Sequence, residues 1–250
     1  AIERTEDVFG PSHIKTAWLR NRLGVVFFRM GSLKLAEIQY RLAVKIRKRK
    51  LGCRHLETAT AINNLAQVCS ERGNALEALH LFRQAFEIRN GLLGPIHPDT
   101  VESRFALIET SIDSGDFSTA EMLYLEYAAN LEKVCSGETS DLANVFLSLA
   151  MLLMKREQFS EAKRYGMRSL LIRQKMVQNS DEMASTLLCL ARIEHGHGNC
   201  SRARELYEET LELIKNNEAL RSNFEITLRC ELALIEQEVG DYSAAIKHAK

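Results

Sequence analysis

The segment Glu194-His195-Gly196-His197-Gly198-Asn199-Cys200 places three potential metal ligands, two imidazoles and a thiol, within a few residues of one another. Zinc-type sites are built from such nitrogen and sulfur donors, four in a closed site or three plus water in an open one. The segment falls at the end of one helix and in the following turn, no convincing fourth ligand stands nearby, and no other part of the chain has a counterpart. The expectation is that it binds no metal. Three further histidines, His13, His55 and His97, recur at 42-residue intervals, a regularity that fits packing or hydrogen bonding in turns rather than catalysis. The six cysteines (Cys53, Cys69, Cys135, Cys189, Cys200, Cys230) lie far apart and contain no Cys-x-x-Cys pair, so they read as reduced thiols rather than a disulfide framework or zinc knuckle. Lys45-Ile46-Arg47-Lys48-Arg49-Lys50 resembles a localisation or polyanion patch, but it reads more simply as a helix C-terminus whose cations meet the negative end of the dipole on a solvated face. No glycine-rich phosphate loop, Ser/His/Asp order or catalytic cysteine setting is recognisable, so neither enzymatic activity nor a cofactor is expected within this segment.

Composition narrows the classes further. Lys plus Arg equals Asp plus Glu at 33 each, and 46% of the 250 residues are apolar. A net charge of zero gives no bulk electrostatic case for nucleic acid or a membrane surface. No apolar run approaches the roughly 20 residues that span a bilayer. A soluble, cytoplasmic chain is the expectation.

What must position any functional side chain is a repeat. Shifting the sequence by 42 residues aligns Gly10, Gly52 and Gly94, and likewise Thr16, Thr58 and Thr100. Leu23, Leu65, Leu107, Leu149, Leu190 and Leu232 recur at steps of 42 or 41, as do Ala36, Ala78, Ala120, Ala162, Ala203 and Ala245. Between these columns fall Gly31, Gly73, Gly115, Gly198 and Gly240, where a first helix must stop and the chain turn. Ala36, Ala78, Ala120 and Ala203 are each followed one turn later by an aromatic (Tyr40, Phe82, Tyr124, Tyr207), so two helix backbones approach closely while the ring fills the next gap. The reading is helix, turn, helix in units 11–52, 53–94, 95–136, 137–178 and 179–219, with 1–10 the end of a preceding unit and 220–250 an incomplete one. Ala1 and Lys250 both fall inside second helices of that register, which suggests a piece of a longer array. The prolines Pro11, Pro95 and Pro98 are expected in turns between units, with Asp99 and Glu102 as a capping-box variant. In the fourth unit Glu157 takes the place of the turn glycine and Gly166 that of the aromatic, so looser packing is expected there, compensated by Phe159 and Tyr165.

The long period, the Gly-x-x-His-x-x-Thr columns and Asn63-Asn64-Leu65-Ala66 resemble the tetratricopeptide repeat family, and within it the kinesin light chain subtype. The resemblance covers essentially the whole chain. It implies an all-α fold, a right-handed superhelical solenoid of antiparallel helix pairs. It further implies that the first helices line a concave groove holding a partner peptide, as in an adaptor or scaffold. Two other readings stay open: a structural or self-associating repeat tail of a multidomain sensor ATPase, and a substrate-positioning regulatory arm of an enzyme outside this segment.

Spacing assigns the groove. With Ile62, Leu65, Ala66 and Cys69 facing inward, the opposite face of that helix carries Thr60, Asn63, Gln67, Ser70 and Glu71, and Asn63 and Asn64 could bond a peptide main chain. The positions where some relatives clamp a terminal carboxylate hold Asn21, Val25, Asn64, Glu102 and Ala106; only Asn64 fits, so no appreciable binding of an acidic C-terminal peptide is expected. Charge is uneven: residues 1–52 hold 12 basic and 4 acidic side chains, whereas residues 53–140 hold 6 and 13. Glu102, Glu109 and Asp113 share one stripe with Glu71 contributed by the unit before, and the next unit offers Leu147, Met151 and Met154 flanked by Asn144 and Lys155. The expected ligand therefore carries a Lys or Arg near the acidic stripe and an apolar anchor near the methionines, unlike the acidic tryptophan-containing peptides that the resemblance implies.

Overall fold

The computed structural model describes residues 2–134, 138–176, 180–215 and 217–249. Among them every regular element is an α-helix. The chain divides into two compact units, Ala1–Leu123 and Tyr124–Lys250. The first contains α1 (Ile2–Phe9), α2 (Ile14–Arg29), α3 (Leu33–Leu51), α4 (Leu56–Glu71), α5 (Ala75–Leu93), α6 (Pro98–Asp113) and the start of α7 (Phe117–Val134). The second contains the rest of α7, then α8 (Ser140–Lys155), α9 (Phe159–Lys175), α10 (Ser180–Gly196), α11 (Cys200–Ile214), α12 (Glu218–Val239) and α13 (Tyr242–Ala249). Within each unit successive helices pack on one another, α2 on α3, α4 on α5, α8 on α9 and α10 on α11 most closely.

The repeated columns are the core. Leu65, Leu107, Leu149, Leu190 and Leu232 are buried, and Ala36, Ala78, Ala120, Ala162 and Ala203 are fully so. The turns follow from local chemistry. His13, His55 and His97 are the N-caps of α2, α4 and α6, each Nδ1 accepting from the amide two residues on, at 3.2, 3.1 and 3.2 Å. Thr16 and Thr58 donate their hydroxyls to the Gly10 and Gly52 carbonyls, both at 3.0 Å. The capping-box expectation at Asp99 is corrected: His97 is the cap, Pro98 occupies the first helical turn, and Glu102 bonds elsewhere. The repeat boundaries near 136 and 178, the registers of Ala1 and Lys250, and Cys135 lie outside the described residues. Cys69 and Cys189 are buried, and burial pushes their thiols up to about 11 and about 12. Among the described residues no helix is long and apolar enough to cross a membrane.

Two sequence expectations change. The cationic run 45–50 is not a uniformly solvated face, because Ile46 and Arg47 are buried while Lys45, Arg49 and Lys50 are exposed. Arg47 belongs to a column with Arg89 and Arg173, all buried at the ends of second helices. Each guanidinium reaches the first turn of the next helix: Arg47 donates to the Glu57 carbonyl (2.6 Å), Arg89 to that of Asp99 (2.9 Å) and Arg173 to that of Glu182. Burial pulls Arg47 and Arg173 below the ordinary guanidinium range, with Glu57 and Glu182 pulling back.

Gly166 brings close packing rather than looseness: a Cβ there would lie 2.7 Å from Leu190 Cδ2, so α10 fills the place of the missing aromatic. Tyr165 does compensate alongside, stacked on Phe146 with ring centroids 5.9 Å apart. Glu157, standing where the other units have a turn glycine, adopts φ 58, the only described non-glycine residue with positive φ. A left-handed L-residue costs about 1–2 kcal/mol. Glu157→Gly is therefore expected to stabilise the chain by about 1 kcal/mol in urea denaturation, the extra freedom of glycine when unfolded offsetting part of the relief. A lower midpoint would show that Glu157 makes a contact worth more than its strain.

Candidate functional site

The first helices of each pair carry the candidate binding face, and packing decides which side chains reach solvent. On α4, Ile62, Leu65, Ala66 and Cys69 point inward as expected, but so do Ala59, Ala61, Asn63 and Val68. Asn63 thus departs from the expected outward stripe. Its amide accepts from Ser103 Oγ (3.2 Å) and donates to Glu102 Oε1 (3.4 Å), joining α4 to α6, so both ends are taken up within the protein. Asn64 is half-buried and donates to Asn21 Oδ1 at 3.2 Å, joining α4 to α2. The stripe that reaches outward is Thr60, Asn64, Gln67 and Glu71, at i, i+4, i+7 and i+11, with Thr60 bonded back to the Leu56 carbonyl.

Stepping this stripe by 42 residues finds the same face elsewhere. On α6 it is Glu102, Ala106, Glu109 and Asp113. Glu102 is committed to Arg89 Nη1 (3.2 Å) and Asn63, whereas Glu109 and Asp113 are exposed with no ion pair among the described residues. On α2 it is Trp18, Arg22, Val25 and Arg29, of which the sequence reading considered only Val25. Trp18 is exposed, with the Arg22 guanidinium 4.8 Å from its ring centroid. The first unit therefore presents one face of α2, α4 and α6, tied by the asparagine bonds, which runs from a cationic, aromatic edge to an acidic one.

In the second unit the same register on α8 gives Asn144, Ser148, Met151 and Lys155. Asn144 accepts from Arg173 Nη2 at 2.6 Å, so it holds α9 as well as facing solvent. Met151 is 46% exposed, while Leu147 and Met154 are half-buried and serve packing first.

Of the ligand-type residues around 194–200, Glu194 is buried and paired with Lys163 Nζ at 2.6 Å, and Asn199 donates to it at 2.8 Å. Burial raises its pKa, but these hydrogen bonds and the Lys163 and His197 charges outweigh that and hold it below the ordinary glutamate range. His197 packs against the Phe159 ring, with centroids 6.1 Å apart.

Tetratricopeptide repeat models match residues 19–91 and 57–133, and a second set matches 142–180 and 183–216. Among solved structures, a protein of Podosopora anserina assigned as a kinesin light chain with nearly identical TPR-like repeats superposes with TM-score 0.69 at 21% identity, covering 82% of this chain and 99% of that one. BtubC (BKLC) from P. vanneervenii gives TM-score 0.63 at 16% identity, covering 85% of each chain. The apo form of RapI gives 0.62 at 16% identity, covering 93% of this chain and 94% of that one. At these identities the likeness is one of fold. No curated relative matches the sequence.

Proposed function

From its membership of the tetratricopeptide repeat family, whose fold is a general protein-interaction scaffold, we propose that this chain is a non-catalytic adaptor that recognises a peptide segment on the first-helix face of α2, α4 and α6. The observation that carries this reading is the set of uncommitted outward side chains. Gln67, Glu71, Glu109 and Asp113 are exposed, and the three acids have no ion-pair partner among the described residues, unlike Glu37, Glu57 and Glu77, which arginines hold. An exposed acid pair without a counter-ion raises the local negative potential, which favours a Lys or Arg of a ligand and steers its approach. The Trp18 and Arg22 edge suits an acidic or aromatic residue further along the same segment. In the second unit, flexible Met151 offers an adaptable apolar contact on its own face.

A peptide array on the purified chain is expected to select segments containing Lys or Arg, with binding that weakens as salt is raised. Glu109→Lys should weaken the selected peptides by more than about 1 kcal/mol, the scale of a recognised hot spot, and Met151→Ala should do so for apolar-anchored ones. Uniformly acidic selected peptides, or indifference to both changes, would remove the assignment of this face.

A further inference from the structure

Two side-chain clusters bring three metal-ligating atoms within 4.8 Å of one another: Glu37, Cys69 and Glu77, and His195, Cys200 and Glu238. The first is already neutralised. Arg41 bonds both carboxylates and Arg72 pairs with Glu37, so the acids have cations and Cys69 is a buried thiol. No guanidinium pairs with the second among the described residues. Its three groups come from three elements of the second unit: His195 from the last turn of α10, Cys200 from the first residue of α11, and Glu238 from the end of α12. His195 Nε2 lies 2.8 Å from Glu238 Oε2, and Cys200 Sγ lies 4.0 Å from the same oxygen. Glu194 and His197 stand beside this cluster but are taken up by Lys163 and Phe159.

We propose that His195 Nε2, Cys200 Sγ and Glu238 Oε2 form a binding site for a divalent transition-metal ion of the zinc class, with water completing the coordination. The donor set is the first argument. One imidazole, one thiolate and one carboxylate suit a borderline ion, and the thiolate and carboxylate together neutralise a dication. Geometry is the second. Metal–nitrogen and metal–oxygen bonds of about 2.0–2.1 Å and a metal–sulfur bond of about 2.3 Å at tetrahedral angles place the nitrogen about 3.3 Å from the oxygen and the sulfur about 3.6 Å from it. The hydrogen-bonded pair opens by about half an ångström and the sulfur closes by a similar amount, movements within the freedom of a Glu238 side chain that is 56% exposed. On binding, the Cys200 thiol passes its proton to solvent and the hydrogen between His195 Nε2 and Glu238 leaves that nitrogen, moving through solvent to Nδ1 in the neutral ring or to bulk solvent from the imidazolium, so that Nε2 can ligate with no change of oxidation state. The ion then joins the turn between α10 and α11 to the end of α12, so it also braces two successive helix pairs.

Cobalt(II) is the direct probe on the whole chain. One equivalent should produce the intense visible bands of a tetrahedral centre and a thiolate charge-transfer band, both displaced by zinc. Cys200→Ser should abolish the charge-transfer band, and His195→Ala or Glu238→Gln should weaken binding by at least about 10-fold, since even supporting contacts around a metal carry that much. Cys230→Ser, which alters an exposed thiol on α12 away from the cluster, should leave the spectrum unchanged. Zinc should also raise the urea midpoint of the native chain, and not that of Cys200→Ser. A charge-transfer band that survives Cys200→Ser, or a pale octahedral spectrum in the native chain, would overturn the site.

Discussion

Arg89→Met is expected to destabilise the first unit by about 2–4 kcal/mol, although it keeps most of the side-chain volume. Arg89 is 4% exposed, and its Nη1 donates to the Asp99 carbonyl at 2.9 Å, Ser103 Oγ at 2.7 Å and Glu102 Oε2 at 3.2 Å. It therefore ties the end of α5 to the first turn of α6, and through Ser103 to Asn63 on α4. Methionine removes a charge-assisted bond from the part-buried Asp99 carbonyl, which keeps its helical amide partner, and leaves the buried Ser103 hydroxyl without a donor; bonds from a charged group are worth about 1.5–3 kcal/mol each. Glu102 is mostly exposed and recovers water, so an unpaired buried charge does not add to the loss. Lysine should rescue less than half, because its ammonium reaches less far than Nη1, the nitrogen that makes all three bonds, and is more strongly hydrated and so costlier to bury. Trp18, the one tryptophan, sits on α2 and lets fluorescence follow the first unit during urea unfolding. Ser103→Ala should cost clearly less in the Arg89→Met background than alone, because the two share a network. Additive losses, or a total under about 1 kcal/mol, would mean that the clamp is ornamental.

The same column shows what sequence reading captures and where it stops. Helix identity, turns and the core columns were legible because each rests on residues near in sequence: an alanine and a ring one turn apart, a glycine where φ must turn positive, a histidine two residues before the amide it caps. Arg47, Arg89 and Arg173 keep the 42-residue register too, yet Leu131 interrupts it, and the run around Arg47 already had an explanation in the helix dipole. Burial of a guanidinium depends on the carbonyl it meets in the next helix pair, which local pattern does not display. Asn63 and Asn64 illustrate the same limit at finer grain. A period of 3.6 residues allows either neighbour to face outward, and the approach of Ser103 and Glu102 on α6 selects Asn63 for the interior. Likewise the third ligand-type group beside His195 and Cys200 is Glu238, 43 residues after His195, outside any window in which a metal motif is sought.

Gly24→Val is expected to be the most damaging small change in the first unit, about 3 kcal/mol or more, and Gly24→Ala already carries the argument. A Cβ at Gly24 would lie 2.6, 2.8 and 2.9 Å from Cε1, Cδ1 and Cζ of Tyr40, where carbon contacts are comfortable at about 3.5–4.0 Å. On an exposed helix the same substitution stabilises by about 1 kcal/mol, because glycine is the poorer helix former. The sign therefore depends on whether the ring can retreat. Tyr40 is 3% exposed, and burial pushes its hydroxyl up to about 12, with Arg29 lowering it, so the ring is enclosed on the α3 side. The next pair meets the same demand differently, with Ala66 and Phe82 in the corresponding places. Gly24→Ala should thus cost about 1–2 kcal/mol in the native background, overpacking outweighing the helix preference. In a Tyr40→Leu background the obstruction is gone, and the same substitution should become stabilising by up to about 1 kcal/mol. That reversal of sign, read from urea midpoints of the four variants, is what a close α2–α3 approach demands. If Gly24→Ala stabilises both backgrounds alike, the ring does not occupy the space in front of Gly24.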